Sequence, residues 1–214
     1  MPSIDPIQVL LFFVVLLISL SVHEAAHAWS ASRLGDNTAR LLGRVSLNPV
    51  VHVDPIGTIV FPLMAMVSGL PLIGWAKPVP VNVRNLRGDW KQKYMLVAAA
   101  GPASNLVIAA AAALVFRVMP GGGLDGEAVA SRSVVAVVLL RLVDLNVLLA
   151  VFNMLPVPPL DGGNVLAGLL QGPIADAFEK LRPYGFLLLY GLLLTGVFSM
   201  VVLPVADRLM RWLL

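Results

Sequence analysis

The feature that most constrains this chain is a pair of histidines inside its first apolar run. Residues 23–27 read H-E-A-A-H, and the apolar run around them begins near Ile7. On a helix, residues four apart share a face, so His23 and His27 can both reach one Zn²⁺ while Glu24 acts on a water molecule. Ionisable groups in a bilayer are costly and usually functional. The pattern therefore predicts a metal site in a membrane-embedded helix.

The composition places most of the chain in a membrane. Of its 214 residues, 58% are hydrophobic and 13% charged, whereas soluble domains carry about 25% charged residues. Since about 20 apolar residues cross a hydrocarbon core, the sequence has room for about four to six apolar helices. We expect an all-α, multi-pass protein of the cell membrane in which residues 1–214 form one embedded domain.

The residue content rules out cysteine chemistry and argues against a nucleic-acid partner. The chain has no cysteine, so thiolate ligands, disulfides and a cysteine nucleophile are ruled out. No basic run is interleaved with exposed aromatic residues, which argues against nucleic acid as a partner.

The apolar sequence divides into five segments, at about 7–34, 55–75, 93–119, 133–155 and 184–203. The second is broken by Pro55, Pro62 and Pro71 together with three glycines, so we predict a re-entrant or hairpin element there instead of a full crossing. Between the first two segments, partial alternation over residues 38–47 predicts a short β-hairpin near the cytoplasmic membrane face.

Two histidines make an incomplete zinc site, because a catalytic one usually has three protein ligands. Asp161 is our candidate for the third. It follows the proline-rich break at 156–159, where a membrane helix must unwind and its free backbone must line protein or a cavity. Asp is also a favoured N-cap, so Asp161 could equally cap a helix that begins at Gly162. The local sequence leaves both interpretations open.

Together the motifs resemble those of a known family. H-E-A-A-H in a first membrane helix, followed by F-N-M-L-P-V-P-P-L-D-G-G at 152–163, is similar to the site-2 proteases, which are intramembrane zinc metalloproteases. The stretches at 47–58, 74–82 and 100–105 are also similar, in particular to the compact bacterial branch without a PDZ domain. These motifs cover most of the chain.

The resemblance implies a zinc-dependent endopeptidase that hydrolyses peptide bonds within or beside the transmembrane helices of protein or peptide substrates. It implies one Zn²⁺ per chain, held by His23, His27 and Asp161. Glu24 would then be the general base. In the family, the Asn eight residues before the Asp helps to bind the substrate or the oxyanion, and Asn153 stands at that position.

The metal site also constrains topology. For Asp161 to meet the histidines, the first and fourth segments must end on the same side of the membrane, with one full crossing between them. With the N-terminus outside, the inner loops hold ten Lys or Arg residues and the outer ones four; if the second segment crossed, the split would be seven and seven. Because inner loops are the more basic, we expect the active site to face the cytoplasm.

Two further polar residues stay ambiguous at this level. His52 could bind the substrate, support a ligand or replace Asp161 as the third ligand, and a turn histidine bonded to backbone is an equal alternative. Asn105, near the end of an apolar helix, could contact the substrate or only hydrogen-bond across helices.

Two other functions compete with proteolysis. A zinc transporter would need metal-binding residues at several depths, whereas this sequence concentrates them at one level. A transporter would also have no need of a non-ligating Glu24. The other candidate is a non-catalytic membrane scaffold that keeps zinc for stability.

Overall fold

The computed structural model describes residues 6–68, 74–119 and 133–214, and within these ranges the regular structure is entirely helical. Short 3₁₀ turns lie at Pro49–Val51, Val83–Asn85 and Arg182–Tyr184, and a π-helical turn, Pro55–Val60, leads into α3. The α-helices are α1 Pro6–Arg33, α2 Thr38–Leu41, α3 Phe61–Ser68, α4 Trp90–Val118, α5 Val134–Asn153, α6 Asp161–Leu169, α7 Gly172–Glu179, α8 Gly185–Leu194 and α9 Val197–Leu213.

Three of these helices, α1, α4 and α5, are long and apolar enough to cross a membrane. A fourth crossing requires Gly172–Leu194 and Ser199–Leu213 to act together, and these two are bent by 79°. The described residues therefore contain three, or at most four, membrane-spanning elements, against the four to six apolar helices expected with one of them re-entrant. The last apolar segment is broken at Gly196, whose φ of 75° is left-handed and cannot continue a helix.

The predicted β-hairpin is wrong: the residues described between α1 and the π-helical turn form no strand. Residues 38–41 form α2, and two residues beyond its end Gly43 turns the chain with a φ of 71°. Asn48 then accepts a hydrogen bond from the Val50 amide and caps the 3₁₀ turn that begins at Pro49. Local turn chemistry of this kind outweighs a short alternating pattern.

Helix α4 packs against both α1 and α5. His23 of α1 meets Asn105 of α4 and His27 meets Val97, so these two helices are antiparallel. The C-terminal end of α5 leads to Asp161, which reaches the same two histidines. Helices α1 and α5 therefore run parallel with α4 as the long helix between them, as a shared site requires.

The second apolar segment returns to its starting point. The Trp75 amide donates to the Gly57 carbonyl at 3.1 Å, and the Thr58 hydroxyl donates to the Trp75 carbonyl at 2.8 Å. A segment whose two ends are hydrogen-bonded to each other does not cross the bilayer, which agrees with the predicted re-entrant or hairpin element. Residues 69–73, including Pro71, lie outside the described part.

From Gly74 the chain continues as an extended stretch, residues 74–82, which we call the strap. The Lys77 amide donates to the His52 carbonyl at 2.8 Å. The Asn82 amide donates to the Asp36 carboxylate at 2.7 Å. The strap is thus tied to the connection between α1 and α3 near both of its ends.

Asp36 is the polar centre of that connection. Its buried carboxylate accepts hydrogen bonds from Thr38, Asn82 and Asn85. Burial on its own raises the pKa of Asp36, but these hydrogen bonds outweigh it and bring the pKa below its ordinary value.

We expect Asp36→Asn to lower the free energy of unfolding by about 1–3 kcal/mol at pH 7, since donors aimed at a buried carboxylate lose their partner. Because the folded pKa is depressed, the difference from wild type is complete well above about pH 4 and shrinks as the pH falls through the folded value. Thermal unfolding of both proteins in detergent at pH 7 and pH 3.5 measures this difference in stability. The exposed Asp176→Asn serves as control, and equal stabilities at pH 7 would contradict the prediction.

Candidate metal centre

The two motif histidines lie side by side in the C-terminal third of α1. Both are buried, and their Nε2 atoms are 3.0 Å apart. The i, i+4 spacing places both rings on the face of α1 that packs against α4.

Asp161 completes the group. Its Oδ2 lies 3.1 Å from His23 Nε2 and 3.3 Å from His27 Nε2. Asp161 is the first residue of α6, and the N-cap position belongs to Leu160, so Asp161 does not stand at the position that the capping alternative requires. A side chain on Gly162 would overlap the carbonyl groups of Met154 and Leu155. The glycine thus lets α6 start against the end of α5 and aims Asp161 at the histidines.

The three side chains fit a zinc ion. His23 Nδ1 donates to Asn105 Oδ1 at 2.6 Å and His27 Nδ1 donates to the Val97 carbonyl at 2.7 Å, which leaves a lone pair on each Nε2. Asp161 Oδ2 is buried and forms no hydrogen bond within the described residues. Three converging lone-pair atoms repel one another without a cation, and a tetrahedral zinc site spaces its ligand atoms by about 3.3 Å.

The three candidate ligands open into a cavity of about 520 Å³. Glu24 lines it, and its Oε2 accepts a hydrogen bond from the Val79 amide of the strap at 3.1 Å. Asn153 lines it as well and donates to the Leu149 carbonyl at 3.0 Å. Most of the remaining wall is apolar and comes from the strap, α5 and α8, including Trp75, Val81, Phe152, Phe186, Leu189, Tyr190 and Leu193.

Comparison with known proteins identifies the family. Residues 124–193 match the model of Peptidase family M50. The protein YwhC of Bacillus subtilis (strain 168) is 34% identical over 203 residues, which cover 94% of this chain and 89% of YwhC. The chain belongs to peptidase family M50.

Two other relatives support this M50 assignment. Rip2 of Mycolicibacterium smegmatis is 30% identical over 184 residues, 84% of this chain and 64% of Rip2. CPE1693 of Clostridium perfringens is 39% identical over 66 residues, 28% of this chain and 20% of that protein. Like YwhC, both are named as candidate zinc metalloproteases. No solved structure matches the chain.

The family and the names of the relatives confirm three predictions made from the sequence. The chain is a zinc metalloprotease of the site-2 protease type, its cofactor is Zn²⁺, and it is a membrane protein.

His52 lies outside the metal group of this M50 chain. Its Nε2 donates to the Ser46 carbonyl at 2.8 Å, and its own carbonyl accepts from Lys77. These contacts are those of a buried turn histidine bonded to backbone, one of the four roles that the sequence left open. The group of His and carboxylate ligands within the described residues contains Asp161 instead.

Asn105 accepts a hydrogen bond from His23 on the ring nitrogen that faces away from the candidate metal position. It is fully buried, and its Nδ2 donates to Asn146 Oδ1 at 2.7 Å; Asn146 Nδ2 in turn donates to Ser19 Oγ at 2.8 Å. His23 therefore stands at the end of a hydrogen-bonded chain that passes through all three long helices. Of the two roles left open for Asn105, the structure shows the hydrogen bond across helices.

The sequence did not single out Gly101 as part of this site. A side chain there would overlap the rings of both His23 and His27, so the glycine lets α4 approach the two histidines. Its sequence signals are the family resemblance of residues 100–105 and a Gly-Pro pair inside an apolar helix, where neither residue favours helix.

We expect Asn105→Ala to weaken zinc binding by about 10–100-fold, since the partner that fixes the His23 tautomer and ring orientation is removed. Competition with a calibrated chelator measures the affinity. Ser104→Ala, which alters a hydroxyl bonded to the Gly101 carbonyl, is the matched control. Unchanged affinity in Asn105→Ala would show that His23 needs no support from α4.

Proposed function

We propose that this M50 chain cleaves peptide bonds within or next to the transmembrane helices of membrane protein substrates. Zinc would be held by His23, His27 and Asp161, with Glu24 as general base. The observation that carries the proposal is the triangle of three ligand atoms at the wall of a cavity that Glu24 shares.

Each part of the site has a chemical task. Zinc bound there supplies a Lewis acid that polarises the scissile carbonyl and lowers the pKa of water. Glu24 takes the proton from the attacking water and passes it to the leaving amine. The Val79 amide, bonded to Glu24, orients the carboxylate for both transfers.

Asn153 supplies an amide for the substrate. Its side chain lies in the cavity wall, bonded to the backbone of its own helix. Exchanging that bond for one to the substrate carbonyl oxygen would stabilise the negative charge that develops there during attack.

The walls favour an apolar, unwound segment as the substrate. Aromatic and aliphatic side chains of α5 and α8 surround the polar group, and the strap closes another side. A transmembrane helix supplies apolar side chains of this kind once it is locally unwound. We place the site at the cytoplasmic side with the N-terminus outside, on the excess of Lys and Arg in the inner loops.

The competing functions fit the site less well. A transporter needs a series of metal sites at different depths, and within the described ranges one three-residue group is found. A scaffold that keeps zinc for stability gives no reason for a buried Glu24 that is not among the ligands.

The decisive experiment uses the full chain purified in detergent and a model substrate with one transmembrane helix. We expect cleavage that stops with a chelator and returns with added zinc. A soluble peptide without a transmembrane segment is the control and should be cut much more slowly. Zinc-loaded protein that cuts no membrane-spanning substrate of a varied panel would contradict the proposal.

We expect Asn153→Ala to lower kcat/KM by about 10²–10³-fold, as for loss of one oxyanion donor. Zinc content should not change, because Asn153 contacts no ligand. Steady-state cleavage measures the effect. Asn37→Ala, an exposed amide outside the cavity, should retain wild-type kinetics, and equal rates for the two variants would remove Asn153 from the reaction.

A further inference from the structure

Arg44 is a buried cation bound to the strap. Its side chain is 6% exposed, and its Nη2 donates to the carbonyls of Lys77 and, at 3.4 Å, Pro78. Within the described residues Arg44 forms no ion pair with a carboxylate. A guanidinium does not give up its proton, so burying its charge against carbonyl groups alone is costly. That cost calls for a functional reason.

Two charged side chains, Arg44 and Glu24, form hydrogen bonds to the same peptide unit of the strap. The carbonyl of the Pro78–Val79 peptide accepts from Arg44, and the amide of the same unit donates to Glu24 Oε2 at 3.1 Å. The bond is trans, since the cis bond found in the described chain is Pro158–Pro159. In a trans peptide the C=O and N–H groups point in opposite directions. Arg44 and Glu24 therefore hold the strap from opposite sides.

We propose that Arg44 is the positioning residue for Glu24. A cation on the carbonyl polarises the peptide and strengthens its N–H as a donor, because hydrogen bonds in a chain reinforce one another. Arg44 also fixes the strap so that the Val79 amide meets the carboxylate. The inference deepens the proposed function and rests on the role of Glu24 as base.

The rest of the strap has its own attachments. The Lys77 amide donates a hydrogen bond to the His52 carbonyl, and the Asn82 amide donates one to the Asp36 carboxylate. Removing Arg44 thus releases the Pro78–Val79 peptide while both flanking anchors stay in place. Loss of Arg44 should consequently affect catalysis more than folding.

The kinetic test compares Arg44→Gln with Arg44→Lys, using the exposed neighbour Arg40→Gln as the matched control. We expect Arg44→Gln to lower kcat by about 10–100-fold, the cost of a displaced catalytic group, with KM within about threefold and zinc content unchanged. Both carbonyls are reached by the same nitrogen, Nη2. Lysine keeps the positive charge but carries it on a compact ammonium at the end of a flexible stem, so Arg44→Lys should recover part of the loss. Arg40→Gln should match wild type.

Hydrogen–deuterium exchange gives a readout that does not depend on activity. Pro78 and Pro80 carry no amide hydrogen, so Val79 provides the one exchangeable amide of residues 78–80. We expect its exchange to speed up at least about tenfold in Arg44→Gln, equivalent to a loss of about 1.4 kcal/mol of protection. Exchange in Arg40→Gln should not change.

Several outcomes overturn the inference. Wild-type turnover, or unchanged Val79 exchange, in Arg44→Gln removes the link to Glu24. Zinc loss or a fall in Tm that accounts for the lost activity assigns Arg44 a purely structural role. These failures are distinct from failure of the proposed function, which would appear as zinc-loaded wild-type protein that cuts no membrane-spanning substrate, or, for the base role of Glu24, as full activity in Glu24→Gln.

Discussion

Glu24→Gln is expected to leave zinc bound and to lower kcat for peptide-bond cleavage by at least about 10²–10⁴-fold, the usual contribution of a general base. The amide that replaces the carboxylate still accepts a hydrogen bond from the Val79 amide, so the cavity should keep its shape. What it loses is the ability to take a proton from water. Cleavage of a membrane-spanning substrate, with zinc per chain measured on the same sample, tests this.

The exposed Glu179→Gln is the matched control. Glu179 pairs with Arg182 on the surface, at 2.8 Å, and touches no part of the cavity. Cleavage by Glu24→Gln at the wild-type rate would refute the general-base role. Loss of zinc together with activity would make Glu24 part of the metal site.

Asp161→Ala is expected to abolish both zinc retention and cleavage. His23 and His27 would remain as the only ligands of the group, and two ligands make an incomplete site. The drop in zinc affinity should exceed the about 10–100-fold expected when a residue behind a ligand is lost. Metal analysis after dialysis against a weak chelator gives the occupancy.

Asp207→Asn, an exposed change on α9, should retain full zinc and full activity. Full zinc occupancy in Asp161→Ala would disprove its role as a ligand. His52 could not simply replace it, because the structure ties that ring to the Ser46 carbonyl.

The long helices were predictable because length and apolarity decide membrane crossing. The segments expected at 7–34, 93–119 and 133–155 correspond to α1 Pro6–Arg33, α4 Trp90–Val118 and α5 Val134–Asn153. The alternation at residues 38–47 wrongly predicted a hairpin, since Gly43 and Asn48 form turns that override the alternating pattern. The segment predicted at 184–203 is not one continuous helix, because Gly196 turns the chain between α8 and α9.

The residues of the candidate site also divide into those that the sequence predicted and those that it did not. The grouping of His23 and His27 follows from helical spacing, and Asp161 from a motif. The contributions of Gly101, Asn146 and Arg44 depend on which distant segment packs against α1 or its connection, and a single sequence does not reveal such pairings. These residues became visible only with the three-dimensional arrangement.

The hydrogen-bonded chain from Ser19 through Asn146 and Asn105 to His23 has a mechanical consequence. Each long helix contributes to it, so a rotation of any one about its axis, or a slide along its neighbour, would break a bond that ends at a zinc ligand. The angle at which His23 faces the ion is thereby coupled to the alignment of the whole bundle. A force that the surrounding lipid applies to α5 would therefore change the orientation of the His23 ring, through Asn146 and Asn105.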